Sequence, residues 1–226
     1  MLKNLVSSAA FAGLGAGLFA ALLQFVFVIP LLLEGELYEI AARTHFGAGG
    51  IAQSISQAPA LGGDIARHAM TVAFNVTSFT GYGLILAALM GLAKTKGHGI
   101  GARQGLIWGL CGFIAVQFAP ALGLPPELPG TVGAELLPRQ MWWAGTIVAT
   151  ASGLGLICFA TGWKAAAGAV LIAVPHVIGA PHLDTFFGVA PPELAAHFAT
   201  ASLGVGAAGW CVLGLLVAHF QRGPAR

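Results

Sequence analysis

Residues 5–33 read LVSSAAFAGLGAGLFAALLQFVFVIPLLL, a run without one charged side chain. An α-helix needs about 20 apolar residues to cross the hydrocarbon core, where only intrahelical bonding satisfies the backbone N–H and C=O groups. Five further charge-free stretches lie downstream: Ala69–Ala93, Gln104–Leu124, Gln140–Trp163, Ala165–Leu183 and Leu194–Ala218. The first run is too long for a signal-peptide core, and Leu31-Leu32-Leu33-Glu34 offers no small-residue cleavage site, so it reads as a retained helix. The composition agrees: 57% of residues are hydrophobic and 8% charged, against about 25% charged in a soluble domain. The fold class is therefore an all-α integral membrane protein. It is read as one membrane domain over 1–226 with six transmembrane helices, five being the alternative if the weaker Ala165–Leu183 stretch does not cross.

Small residues recur at four-residue spacing in Gly13/Gly17, Gly101/Gly105/Gly109 and Gly145/Ala149/Gly153, which lets transmembrane helices approach closely. Helix packing explains these glycines without any chemistry. With the N-terminus in the cytoplasm, Lys3, Lys94, Lys96, Arg103, Lys164, Arg222 and Arg226 fall inside, and only Arg43, Arg67 and Arg139 outside. That asymmetry follows the positive-inside tendency. All eight acids fall on the outer side, which the insertion rule does not require, since acids contribute little to orientation.

Two later hairpins share three short strings in order. Ala119-Pro120-Ala121-Leu122 matches Ala180-Pro181-His182-Leu183, Pro125-Pro126-Glu127-Leu128 matches Pro191-Pro192-Glu193-Leu194, and Ala149-Thr150-Ala151-Ser152 matches Ala199-Thr200-Ala201-Ser202. Tandem parallel helix-hairpin repeats are the expectation, with composition bias the competing account. Prolines near the outer ends of helices one, three and five would then interrupt the backbone at comparable depths, and carbonyls freed there can serve as cation ligands where they face a cavity.

Several function classes are excluded. The net charge of +2 comes without a basic run, so no nucleic-acid partner is expected. No GxxxxGK[ST], HExxH or GxSxG occurs, so neither an ATPase nor an enzyme is read here. Cys111, Cys158 and Cys211 lie inside predicted spans without metal-ligand spacing, and read as small packing residues.

What remains is histidine and carboxylate chemistry. His176 lies in the middle of the fifth predicted span, where an ionisable group is costly and commonly functional. Imidazole is a common ligand for divalent first-row metals, although a histidine bonded to a neighbouring helix would occupy the same place. His182 is six residues further on, about 120° round an unbroken helix, so the two would not share one ion. Gly179 and Pro181 break the helix between them, and two successive binding steps fit better than one bidentate site. Glu36, Glu39, Glu127 and Glu193 join His176 and His182 as candidate metal ligands. Carboxylates at the outer mouth would concentrate cations. His45, His68 and His197 stand on the same side, with ordinary loop residues as the bland alternative. Thr146, Thr150, Ser152, Thr200, Ser202 and Asn75 add polar groups to the helices, which interhelical hydrogen bonding explains for the most part.

Four strings, QFVFVIPLLLEGELYE over Gln24–Glu39, APALGLPPELPG from Ala119, RQMWW from Arg139 and PHVIGAPH from Pro175, together resemble the CbtA family of predicted cobalt transporter subunits. The resemblance extends over most of the chain. It implies cobalt uptake through a bacterial inner membrane, beside a small single-span CbtB-like subunit with a His-rich end. The expected cargo is Co2+, with Ni2+ or another divalent metal as alternatives, and no permanently bound cofactor. Both termini are expected in the cytoplasm. A non-catalytic assembly or accessory protein for a metal-handling complex is the alternative, because a Gly-rich bundle needs no pathway. An intramembrane histidine flanked by prolines favours transport over it.

Overall fold

The computed structural model describes residues 2–46, 59–62, 64–185 and 187–221. Arg222 and Arg226, two of the cations assigned to the inner side, lie outside the described residues. The structure is 77% helical, without a substantial sheet among the described residues. Among those residues, five helices are long and apolar enough to cross a membrane: Lys3–Phe27, Ile65–Thr95, Ala102–Ala121, Leu136–Phe159 and Pro192–Gln221. The protein is thus a helical, multi-pass membrane protein. The predicted fifth span corresponds to a shorter apolar helix, Trp163–Ile178, of 16 residues.

The opening apolar run is two helices. α1 spans Leu2–Phe27 and α2 spans Ile29–Glu39, divided at Val28. Pro30 has no N–H to offer the carbonyl four residues back, but suits the first turn of a new helix. The other helices are α3 (Ile65–Thr95), α4 (Ala102–Phe113), α6 (Leu136–Phe159), α7 (Trp163–Ile178) and α8 (Pro192–Gln221). Between α4 and α6 the helix widens to a π segment over Ile114–Phe118 and closes with a short turn, α5, over Ala119–Ala121. Asp64 caps α3 by accepting a hydrogen bond from the Arg67 N–H at 3.0 Å.

Backbone contacts divide the chain into two compact units. The first takes Met1–Phe25, Gly63–Phe113 and Gly204–Arg226, hence most of α1, all of α3 and α4, and the later part of α8. Its core is built on close backbone approach. A Cβ on Gly17 would lie 2.6 Å from the Val76 Cα, and one on Gly105 would lie 2.6 Å from the Gly214 carbonyl oxygen. Van der Waals contact between backbones substitutes here for the hydrophobic driving force that lipid removes. Phe79, Leu86, Met90, Leu213 and Val217 fill the interior, and Tyr82 stacks on Trp210 with ring centroids 4.7 Å apart. Polar bonds also tie its helices together: Asn75 Nδ2 donates to Gln24 Oε1 at 2.9 Å, and Gln221 Nε2 donates to the Ala87 carbonyl at 2.8 Å.

The second unit takes Val26–Gly62 and Ile114–Leu203. Its frame is the α6–α7 pair, which turns back through Ala160–Gly162. Gly153 and Gly168 meet so closely that a Cβ on either would lie 2.6 Å from the other's carbonyl oxygen. Two short strands, β1 (Thr131–Val132) and β2 (Phe187–Gly188), pair antiparallel with Thr131 opposite Gly188. The loop after α5 is thereby tied to the loop after α7.

The matched strings occupy different local structures. Pro120 lies in a helical turn, whereas Pro181 comes after the end of α7 in non-helical chain. Pro125-Pro126-Glu127-Leu128 lies in a loop before β1, whereas Pro192-Glu193-Leu194 opens α8 after β2. Thr150 and Thr200 both lie inside helices. The three prolines expected to act alike do different things: Pro30 restarts a helix, Pro120 comes just after a π segment, and Pro181 lies beyond a finished helix.

Candidate metal site in the second unit

The end of α7 is shaped by two residues. Pro175 lies inside the helix, and Gly179, with φ +86°, takes the left-handed conformation that stops it. His176 therefore sits in the last turn of α7 rather than at mid-helix, because the helix finishes at Ile178. The Pro175 carbonyl accepts the Gly179 N–H at 3.0 Å and also the Trp142 indole N–H at 3.0 Å. Trp142 is held in turn: Thr146 Oγ1 donates to its carbonyl at 2.8 Å. Its ring also closes over Gly123, where a Cβ would lie 2.6 Å from the indole Cη2 and 2.7 Å from the Ala180 Cβ. The half-buried His176 ring meets Trp142 edge to face, centroids 6.0 Å apart at 73°. Its imidazole is thus oriented from two directions, by its own helix end and by an indole bonded one residue earlier.

The candidate carboxylates sit in settings of their own. Glu127 accepts a hydrogen bond from Arg139 Nη2 at 2.7 Å, which neutralises the charge a cation would seek. Glu36 is half-buried on α2 and Glu39 is exposed at its end. Glu193 is exposed in the first turn of α8, where a negative side chain complements the helix dipole. His182 is exposed beyond the end of α7, with Nδ1 2.9 Å from the Leu183 carbonyl oxygen. The break between His176 and His182 is present, made by Gly179. Among the described residues no group of three or more His, Cys, Asp or Glu side chains is gathered to hold a metal ion. Cys111, Cys158 and Cys211 form no disulfide with one another.

Sequence reasoning missed the role of Trp142 and Gly123. The RQMWW string drew notice, but nothing in it says that one indole reaches Pro175, 33 residues on. The signal available was chemical: a tryptophan N–H inside a bilayer needs an acceptor, and a proline inside a helix leaves a local irregularity where one is found.

The sequence model of the CbtA family, described as a probable cobalt transporter subunit, matches residues 2–222. The chain belongs to the CbtA family. The match takes in α1 through α8 and every residue of the Trp142–His176 arrangement. No curated protein and no solved structure matches the chain. Described as a subunit, a CbtA protein works with partner subunits, and its family places this chain in metal transport.

Proposed function

We propose that this CbtA protein is the permease subunit through which a divalent transition metal, cobalt in the first instance, enters the cell, and that His176 is a ligand along its path. The observation that carries the reading is the contact between Trp142 and His176. An imidazole in the last turn of an apolar helix, oriented by an aromatic neighbour, offers a nitrogen donor of the kind borderline divalent metals prefer. His182 serves an earlier, more hydrated step, helped by Glu36, Glu39 and Glu193 as a diffuse negative field rather than as a cage, while Glu127 is engaged by Arg139. The role is transport, without catalysis. No ATP-binding motif is present in the sequence, so the driving force comes from a partner, an ion gradient or the membrane potential. The potential is worth about 2.3 kcal/mol per charge at 100 mV, and twice that for a divalent cation moving inward. The bacterial inner membrane is the site of action, and a small single-span CbtB-like protein is the partner.

Uptake of radioactive cobalt tests this, in cells with and without the chain and with His176→Gln. Glutamine keeps a hydrogen-bonding side chain but not the imidazole nitrogen. Loss of uptake at unchanged membrane abundance supports a ligand role, and normal uptake by a well-expressed His176→Gln variant sinks it.

A further inference from the structure

Three oxygens of the second unit are buried without a hydrogen-bond partner among the described residues, Gln117 Oε1, Thr150 Oγ1 and Ser202 Oγ, and the first two belong to elements that pack on each other, the π segment and α6. Thr150 is 0% exposed. Its neighbour one turn earlier, Thr146, spends its hydroxyl on the carbonyl four residues back, as helical threonines do; Thr150 does not. Such groups are rare and call for an explanation, a bound water or ion among them.

Their setting narrows the choice. Gln117 lies in the π segment, a distortion found often at functional sites. Pro120, just after it, has no N–H to give to the carbonyl of Val116 four residues back or of Ala115 five back. α6 packs directly on the π segment, and Trp142 near its start lies against Gly123. Thr150 lies eight residues past Trp142 on that same helix.

We propose that the carbonyls of Ala115 and Val116, Gln117 Oε1 and Thr150 Oγ1 form a binding site for a dehydrated alkali cation. The donors are all neutral oxygens. Hard monovalent ions suit such a set, and broken transmembrane helices present it to coupling ions. A divalent cation in lipid would need compensating carboxylate, and among the described residues no cluster of acids and histidines forms. The site is separate from His176, and its occupancy does not depend on cobalt being the cargo.

Purified full-length protein in nanodiscs provides the test. Thermal unfolding is followed in NaCl, KCl and choline chloride at one ionic strength, with direct binding of radioactive sodium alongside. A saturable rise in Tm in NaCl or KCl over choline is expected, the more effective salt naming the ion. Thr150→Val and Gln117→Leu should each weaken the apparent affinity at least tenfold, and Thr150→Ser should restore it. Thr200→Val should leave it unchanged, since that hydroxyl already donates to the Ala196 carbonyl at 2.8 Å. Identical melting in the three salts, the result expected if water alone fills the site, overturns the proposal. So does wild-type affinity in Thr150→Val. Neither outcome touches cobalt uptake, so failure here is distinguishable from failure of the transport reading.

Discussion

The Trp142 indole N–H donates to the Pro175 carbonyl oxygen at 3.0 Å, and this bond joins α6 to the last turn of α7 immediately beside His176. Pro175 thereby anchors a tryptophan through the same carbonyl that caps its own helix. Trp142→Phe keeps an aromatic ring against His176 and deletes only the donor. The loss of one hydrogen bond costs about 0.5 to 1.5 kcal/mol, so the variant should accumulate normally while its half-saturating cobalt concentration rises. A purely structural role would lower abundance and leave that concentration unchanged; parallel uptake and membrane quantification separate the two.

Gly123 makes room for that indole. Gly123→Ala would put a methyl 2.6 Å from Trp142 Cη2 and 2.7 Å from Ala180 Cβ, and overpacking of this kind costs about 1 to 3 kcal/mol. Gly145→Ala is the control: a Cβ there meets nothing within 4 Å, and alanine's helix propensity gains up to about 1 kcal/mol. Melting of the two purified variants should therefore move in opposite directions.

The sequence was most legible where one physical demand dominates. Backbone groups in lipid must bond internally, so charge-free runs of sufficient length become helices, as α1, α3, α6 and α8 do. Breaks were legible in kind but not in form, because a proline's effect depends on its neighbours on both sides. At Pro30 a new helix begins with eleven residues to run, whereas at Pro181 the preceding Gly179 has already ended one. The candidate site was legible only in its pieces. His176 is conspicuous in an apolar run, but the indole that orients it comes from a different helix, and pairwise contact leaves no trace in spacing. Gln117 and Thr150 look like ordinary polar helix residues until burial and the missing partner are seen together.

Gln24 and Asn75 make a second testable pair, in the first unit. Asn75 is 4% exposed, and its amide nitrogen donates both to Gln24 Oε1 and to the Thr71 carbonyl, each at 2.9 Å. Interhelical hydrogen bonds in membranes average about 0.6 kcal/mol by double-mutant cycle, with a maximum near about 1.7. A cycle of Gln24→Leu and Asn75→Leu should give a coupling in that range, with Asn75→Leu the costlier single change because it also strands the Gln24 amide. Zero coupling by unfolding in lipid or detergent would mean the two amides do not act together.

The number of crossings turns on α7, and a reporter fused after Arg226 decides it. At about 1.5 Å per residue, the 16 residues of α7 extend about 24 Å, less than the about 30 Å of a hydrocarbon core. A short helix crosses at modest cost when the bilayer thins or flanking residues reach the interface. Trp163 and Lys164 at its start are residues suited to that place. Non-helical chain at membrane depth is tolerated only where protein shields it, and Gly179–Leu183 has such shielding in part, with Ala180 near Gly123 and Trp142. Six crossings also keep Arg222 and Arg226 on the same side as Lys3, Lys94, Lys96, Arg103 and Lys164, whereas five would place them opposite, against the positive-inside tendency. A reporter that works only outside the cytoplasm should therefore stay silent after Arg226 and be active after Asp184. Activity at Arg226 would leave five crossings, with α7 lying along or dipping into the membrane and His176 near its surface.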